Sequence, residues 1–597
     1  MQNAETVLDV LRERGRRGLP LERLYRQLFN PHLYLLAYGR IYSNKGAMTP
    51  GVCGETADGM STTKIGRIIN ALRHERYRFQ PVRRVYIPKT NGKRRPLGLP
   101  SWSDKLVGEV VRLLLEAYYE PQFSDDSHGF RPRRGCHTAL RKIADTWTGT
   151  TWFIEGDIAD CFGTLDQNLM VDILAEKIHD NRFLRLVRNM LHAGYLEDWE
   201  WNATLSGVPQ GGVVSPILSN IYLDRLDDLV ERRLLRMHNR GATRRKNPAY
   251  REIELAIDRL RRGPARYTTD DLPARLRTLR RQLWDQPSGD PQDPHYRRLR
   301  YVRYADDILL GFAGPKHEAE SIKQRLTQIL RDDLRLELSK DKTLITHART
   351  GAARFLGYEI TVQHANRKIT RGTSIQRSAN GRIRLRVPVS VIKTKCAPYL
   401  KRGKPAPLDL LRDRTDYDII GLFGAQYRGI VQYYQLAGDV WRLDRLRWVM
   451  QTSMLKTLAA KHGSTVKKMA TKHKTTIPTP HGPRRCYETR VHRAGRKPLV
   501  ARFGGIPLKR QRKAAITDRP ADPIIPRRQG SELLARMAQG RCELCDKRTN
   551  VQVHQIRKLA DLTTSGRPHT AWMELMRRMR RKTLIVCTPC HETIHTE

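Results

Sequence analysis

The chain has 597 residues and sets 110 Lys+Arg against 61 Asp+Glu, a formal net charge of +49. Such an excess, spread along the whole length, excludes an ordinary compact enzyme for small molecules and calls for a polyanionic partner held over a long surface. Nucleic acid is the first candidate and a membrane surface a poor second, because no apolar run approaches the ~20 residues needed to cross a bilayer.

With 39% hydrophobic residues the chain can build several cores, and its length predicts three to five domains. Met1 to Pro20 carries Glu5, Asp9 and Glu13 without an apolar centre, so it reads as neither a signal nor a transit peptide. Residues 1–40 read as helical. Asn44 to Gly51 is a loop rich in turn residues. Asn91-Gly92 predicts a hairpin turn, whose second strand opens on Lys93, Arg94 and Arg95. Residues 104–119 predict an amphipathic helix, and Ser127-His128-Gly129-Phe130-Arg131-Pro132 follows.

The run Trp152 to Asp157 predicts a strand on which Phe153, Glu155 and Asp157 share one face. Phe162 lies just beyond it. Ser206 to Pro216, with Gln210 at its centre, is Gly-rich and allows close approach to the backbone. Residues 235–300 read as an Arg-dense insertion of helices plus a loop lying against RNA. Then comes Tyr301-Val302-Arg303-Tyr304-Ala305-Asp306-Asp307-Ile308-Leu309-Leu310-Gly311, two apolar runs flanking adjacent carboxylates. It predicts a β-hairpin with Asp306 and Asp307 at the tip, where Asp157 from a neighbouring strand joins them. Three carboxylates suit two Mg²⁺ ions, the usual apparatus of in-line phosphoryl transfer to nucleic acid.

Tyr304-Ala305-Asp306-Asp307 resembles the signature of reverse transcriptases, and the ordered motifs around it resemble those of bacterial group II intron-encoded proteins. The resemblance runs from about Leu21 to Glu597. It implies an α+β right-hand polymerase with fingers, palm and helical thumb. In such proteins the basic fingers residues, here Lys93 and Arg95, hold the incoming triphosphate, and the bulky residue matched by Phe162 blocks a 2′-hydroxyl. Gln210, and Lys342 within Leu338 to Thr343, are further nucleotide-binding candidates. The first fingers motif usually continues Gly-Val-Asp, but here Cys53 stands in the Asp place. Phe355-Leu356-Gly357-Tyr358 resembles the primer-gripping turn, and residues from about 375 to 480 resemble the thumb or maturase region.

The tail reads as a second module. Cys542-x-x-Cys545 and Cys587-x-x-Cys590 have the pairing of a structural zinc site. His591 and His595 share a helix face, whereas Cys590 and His591 diverge by about 100° on a helix, so one ion does not comfortably take both. Two sites follow: four thiolates on Zn²⁺, and His554, His591 and His595 on a second divalent cation. This resembles an HNH endonuclease domain, with a purely structural DNA-binding zinc module as the alternative. HNH modules commonly carry adjacent histidines, the second activating water. Here the pair reads His554-Gln555, and glutamine takes no proton near neutral pH.

The expected organisation is residues 1–80 as N-terminal extension and start of the fingers, and 81–365 as fingers and palm with the insertion at 235–300. Residues 366–480 form the thumb or maturase region, 481–535 a poorly packed basic DNA-binding connector, and 536–597 the zinc-stapled HNH (ββα-metal) module. The resemblance implies a bacterial cytoplasmic reverse transcriptase that binds intron RNA, target DNA and dNTPs, promotes splicing and supports intron insertion; the sequence leaves its oligomeric state open, a dimer being one candidate. The alternatives are a reverse transcriptase of a non-intron system and an RNA-binding splicing cofactor without polymerase activity.

Overall fold

The computed structural model describes the chain except residues 1, 89–91, 93, 198–199, 203, 205, 208–211, 263–270, 367, 369–378, 494–495, 517–527, 564–569 and 597. It is a mixed α/β structure organised around a four-stranded antiparallel sheet of Arg298–Tyr304, Asp307–Ala313, Trp152–Asp157 and Ile345–His347, hydrogen-bonded in that order. Alternation along these strands puts two different cores on the two faces. Ile154, Ile308 and Leu310 pack towards the N-terminal helices, and Phe153, Val302 and Leu309 pack towards the helices after residue 388.

On the first face lie Ala4–Arg16, Pro31–Ile41 and Trp102–Tyr119. Ser101 caps the last of these, its hydroxyl accepting the Asp104 amide at 3.2 Å. This helix is not amphipathic as its spacing predicts. It is buried almost all round, because Glu109, Arg112 and Glu116 neutralise one another inside the core. The hairpin expected at Asn91-Gly92 pairs Val82–Pro88 with Arg94–Leu99, in register Pro88 with Arg94; of its turn, Gly92 has a left-handed φ of +79°, while 89–91 and 93 fall outside the described residues.

On the other face, Asp416–Tyr433 and Asp444–Lys461 form the helical part. The stretch from 480 onward departs from expectation. Instead of a poorly packed connector, Lys474–Ile477, Arg484–Arg493 and Arg496–Gly504 form a three-stranded sheet, which a boundary at 480 would cut. Ala501 and Phe503 are buried, and Phe503 meets Tyr427 of the helix with ring centroids 5.3 Å apart. Alternating apolar positions supply that inner face, while the Arg and Lys residues that dominate the composition face outward.

The insertion contains the helices Pro248–Arg262 and Asp271–Asp285. The second buries no residue and exposes Arg277, Arg280 and Arg281. The tail is a ββα unit of Val551–Gln555, Thr583–Cys587 and Thr588–Thr596. It is not self-contained. Met60–Ser61, from the N-terminal extension, adds a third strand beside Val551–Gln555. No helix among the described residues is long and apolar enough to cross a membrane.

Candidate active and metal sites

The hairpin turns on two residues, Ala305 and Asp306, since Tyr304 pairs directly with Asp307. Ala305 takes a left-handed φ of +54°. Gly129 makes room for this turn: a methyl group there would lie 2.5 Å from the Ala305 amide nitrogen. Asp307 in turn pairs with Asp157 across adjacent strands. Asp306 comes to the same place, its carbonyl accepting the Ile158 amide at 3.2 Å. The three residues therefore lie at one end of the central sheet, their carboxylates within electrostatic reach of one another.

Beneath the turn, Arg303 and Asp227 are both fully buried and paired at 2.6 Å. Asp227 also accepts the Tyr301 hydroxyl at 2.7 Å, while Arg303 donates to the Ala305 carbonyl at 3.1 Å and to the Ser127 hydroxyl at 2.9 Å. The turn thus hangs on a buried guanidinium held by one carboxylate.

Crowding of acids leaves its mark on their protonation. Burial first, then the charges of Asp306 and Asp157, push the Asp307 carboxyl up to about 7. Burial also raises Asp306, opposed by Arg95 and Lys342. Lys342 sits on the cluster, its ammonium 2.6 Å from Asp157 Oδ2. Oxygen donors that resist joint ionisation until a cation arrives are the donor set that Mg²⁺ takes.

In the tail, Cys542, Cys545, Cys587 and Cys590 bring their sulfurs within 4.8 Å of one another, with Cys545 and Cys587 at 3.6 Å. Thiolates around a tetrahedral zinc, with Zn–S near 2.3 Å, stand about 3.8 Å apart, so the donors fit that ion. Backbone amides, Cys545 N–H among them, hold the Cys542 thiol at about 7 against the effect of its burial. If the four thiolates hold zinc, replacing Cys587 with serine should cost that ion and loosen the tail, because Cys587 also closes the strand Thr583–Cys587; elemental analysis with limited proteolysis checks it.

A second group unites His554, His591 and His595 with Asp58 of the N-terminal extension. Gln555 is engaged elsewhere: its side-chain amide donates to the Tyr42 carbonyl at 2.8 Å. Beside it opens a cleft of about 810 Å³ lined by Lys45, Arg536, Arg557, Lys558, Arg581 and Lys582 among others.

Comparison with known proteins decides the family. Residues 87–248 match the model of reverse transcriptase (RNA-dependent DNA polymerase), 380–483 that of type II intron maturase, and 542–591 that of an AI2M/AI1M-like HNH endonuclease. The chain is 36% identical over 585 residues to the group II intron-encoded protein LtrA of Lactococcus lactis subsp. cremoris, covering 96% of this chain and 95% of the relative. The chain belongs to the group II intron-encoded proteins. It is also 34% identical to the putative COX1/OXI3 intron 1 protein of Saccharomyces cerevisiae, covering 72% of this chain and 52% of that one. Protein YkfC of Escherichia coli K12 is 34% identical, covering 58% of this chain and 84% of its own.

As a group II intron-encoded protein the chain is a reverse transcriptase and maturase, and the expected site residues can be placed on it. Asp157, Asp306, Asp307 and Lys342 come together, with Arg95 within electrostatic reach of Asp306. Phe162 is the second residue of a short helix, Cys161–Thr164, half-buried, its ring edge-on to Phe130 at 6.3 Å. Lys93 and Gln210 lie outside the described residues. Two residues escaped the sequence reading. Asp227 sits in the helix Ser215–Leu229 beside Asp224 and Asp228, where an acid reads as solvated although most of the helix is buried. Asp58 lies 497 residues before Gln555, and no spacing rule links them.

Proposed function

We propose that Asp157, Asp306 and Asp307 hold two Mg²⁺ ions and form the polymerase site of a right-hand fold. In it the central sheet is the palm, the hairpin Val82–Leu99 belongs to the fingers, and the helices Asp416–Tyr433 and Asp444–Lys461 form the thumb. The observation that carries this reading is the direct pairing of Asp157 with Asp307 next to a turn that carries Asp306. The reaction joins a primer 3′-oxygen to the α-phosphorus of a dNTP and releases pyrophosphate. Mg²⁺ held by Asp157, Asp306 and Asp307 would supply the stabilisation of charge on the phosphoryl oxygens. Around them, Arg95 and Lys93 neutralise the triphosphate, Lys342 balances the carboxylates before substrate arrives, Gln210 lines the nucleotide, and Phe162 excludes a 2′-hydroxyl.

Asp307, protonated below about 7, must release its proton for a cation to enter. The Mg²⁺ concentration for half-maximal primer extension should therefore fall about tenfold per pH unit as pH rises towards 7, and flatten above it. A Mg²⁺ titration at pH 6 and at pH 8 reads this. Equal half-saturation at the two values would show that no such proton is displaced.

Intron RNA lies against the exposed arginines of Pro248–Arg262 and Asp271–Asp285 and on the thumb, and target DNA meets the sheet of 474–504 and the tail. Binding carried by phosphate contacts loses roughly 10³ to 10⁵ in affinity between 50 and 200 mM salt for six to ten contacts. Filter binding of intron RNA across that range should show the steep fall. A nearly flat response would place recognition elsewhere. Zn²⁺ on the four cysteines folds the tail, and a divalent cation on His554, His591 and His595 completes a module that binds the insertion site and nicks it weakly, if at all. The full-length likeness to a Lactococcus protein supports a bacterial cytoplasmic setting.

A further inference from the structure

The tail's histidine site draws a residue from the opposite end of the chain. Met60 pairs with Val553 and Ser61 with Gln552, and the Gly59 amide donates to the Val553 carbonyl at 3.0 Å. Gly59 has φ of +71°, a conformation that glycine adopts freely, and the bend there delivers Asp58 to the end of the strand Val551–Gln555. The Gln555 backbone amide fixes the carboxylate by donating to Oδ1 at 2.7 Å.

From that position Asp58 touches all three imidazoles. Its oxygens lie 2.8 Å from His595 Nε2, 3.2 Å from His591 Nε2 and 3.3 Å from His554 Nδ1, and the nitrogens of His591 and His595 are 3.3 Å apart. Donors about 2.0–2.1 Å from a tetrahedral ion stand about 3.3 Å from one another. The measured separations cluster around that edge. A second observation points the same way: His554 is 4% exposed, yet neither of its ring nitrogens makes a hydrogen bond. A buried imidazole whose contact with Asp58 at 3.3 Å is not a hydrogen bond is poorly satisfied, and a cation among these four groups supplies the missing interaction.

We propose that Asp58 is the fourth ligand of a divalent cation held by His554, His591 and His595. This rests on the reading that the three histidines bind an ion. With four protein ligands the shell is closed, as in structural rather than catalytic sites. The ion then staples the N-terminal extension to the tail, adding to the shared sheet, and leaves no place for a water while Asp58 stays bound.

The test uses full-length protein whose thiolate site holds zinc, with Co²⁺ as the probe of the second site. For wild type we expect one tightly bound cobalt and a visible spectrum that does not change between pH 6 and 8.5, since no water is coordinated. Asp58→Ala should weaken cobalt binding at least tenfold, and its spectrum should titrate near pH 7 as a water takes the open place. Asp58→Asn keeps an oxygen for the Gln555 amide and serves if the alanine variant loses its thiolate zinc, which reports the fold of the tail. A wild-type spectrum that already titrates, or variants that bind cobalt as tightly as wild type, would overturn the assignment of Asp58. Wild type binding no cobalt beside its zinc would instead refute the three-histidine reading, and the inference with it.

Discussion

Asp306→Ala combined with Asp307→Ala should abolish cDNA synthesis on a primed RNA template, by more than about a thousandfold. The three acids lie at one end of the sheet, two of them as a direct cross-strand pair, so removing two leaves a single carboxylate there. One carboxylate cannot hold two cations in line with a phosphoryl group. Affinity for RNA should stay within a few fold of wild type, because removing negative charge from a basic protein does not weaken its hold on phosphate. Primer extension and RNA binding on the same preparation read both. Residual synthesis within tenfold of wild type would remove these residues from the polymerase site.

The second large effect is on stability. Arg303 and Asp227 are each 0% exposed, and Asp227 accepts from Arg303 Nε at 2.8 Å and Nη2 at 2.6 Å. Asp227→Ala strands a guanidinium in the core, which typically costs about 3–5 kcal/mol. A urea unfolding series should show that loss. Replacing both partners, Asp227→Leu with Arg303→Met, should restore much of the stability, because an apolar pair of similar volume avoids the uncompensated charge. Polymerisation should nevertheless stay slow in the double variant, since the Ala305 carbonyl loses its donor and the turn carrying Asp306 loosens. Full activity in the double variant would mean that the pair serves folding alone.

Much of this was legible in the residues. The hairpin of Asp306 and Asp307, the strand of Asp157, and the cysteine and histidine groups of the tail all rest on local periodicity and ligand spacing, and the structure forms those elements. The sheet of 474–504 was not legible, because its arginines and lysines mask an alternation that buries only a few positions such as Ala501 and Phe503. Residues 104–119 read as amphipathic because Glu109, Arg112 and Glu116 look solvated until their mutual pairing is seen. Asp58 and Asp227 belong to a further class: each acts through a partner far along the chain, and long-range pairing leaves no periodic trace.

The account holds that polymerisation belongs to the three carboxylates, and splicing to basic surfaces that contact intron RNA without chemistry. The most direct test is intron splicing promoted by the Asp306→Ala/Asp307→Ala variant, measured beside its primer extension at the same protein concentration. The account predicts splicing within about threefold of wild type, as expected where contacts and not catalysis drive RNA folding, while cDNA synthesis is lost. Splicing that falls in step with polymerisation would contradict it.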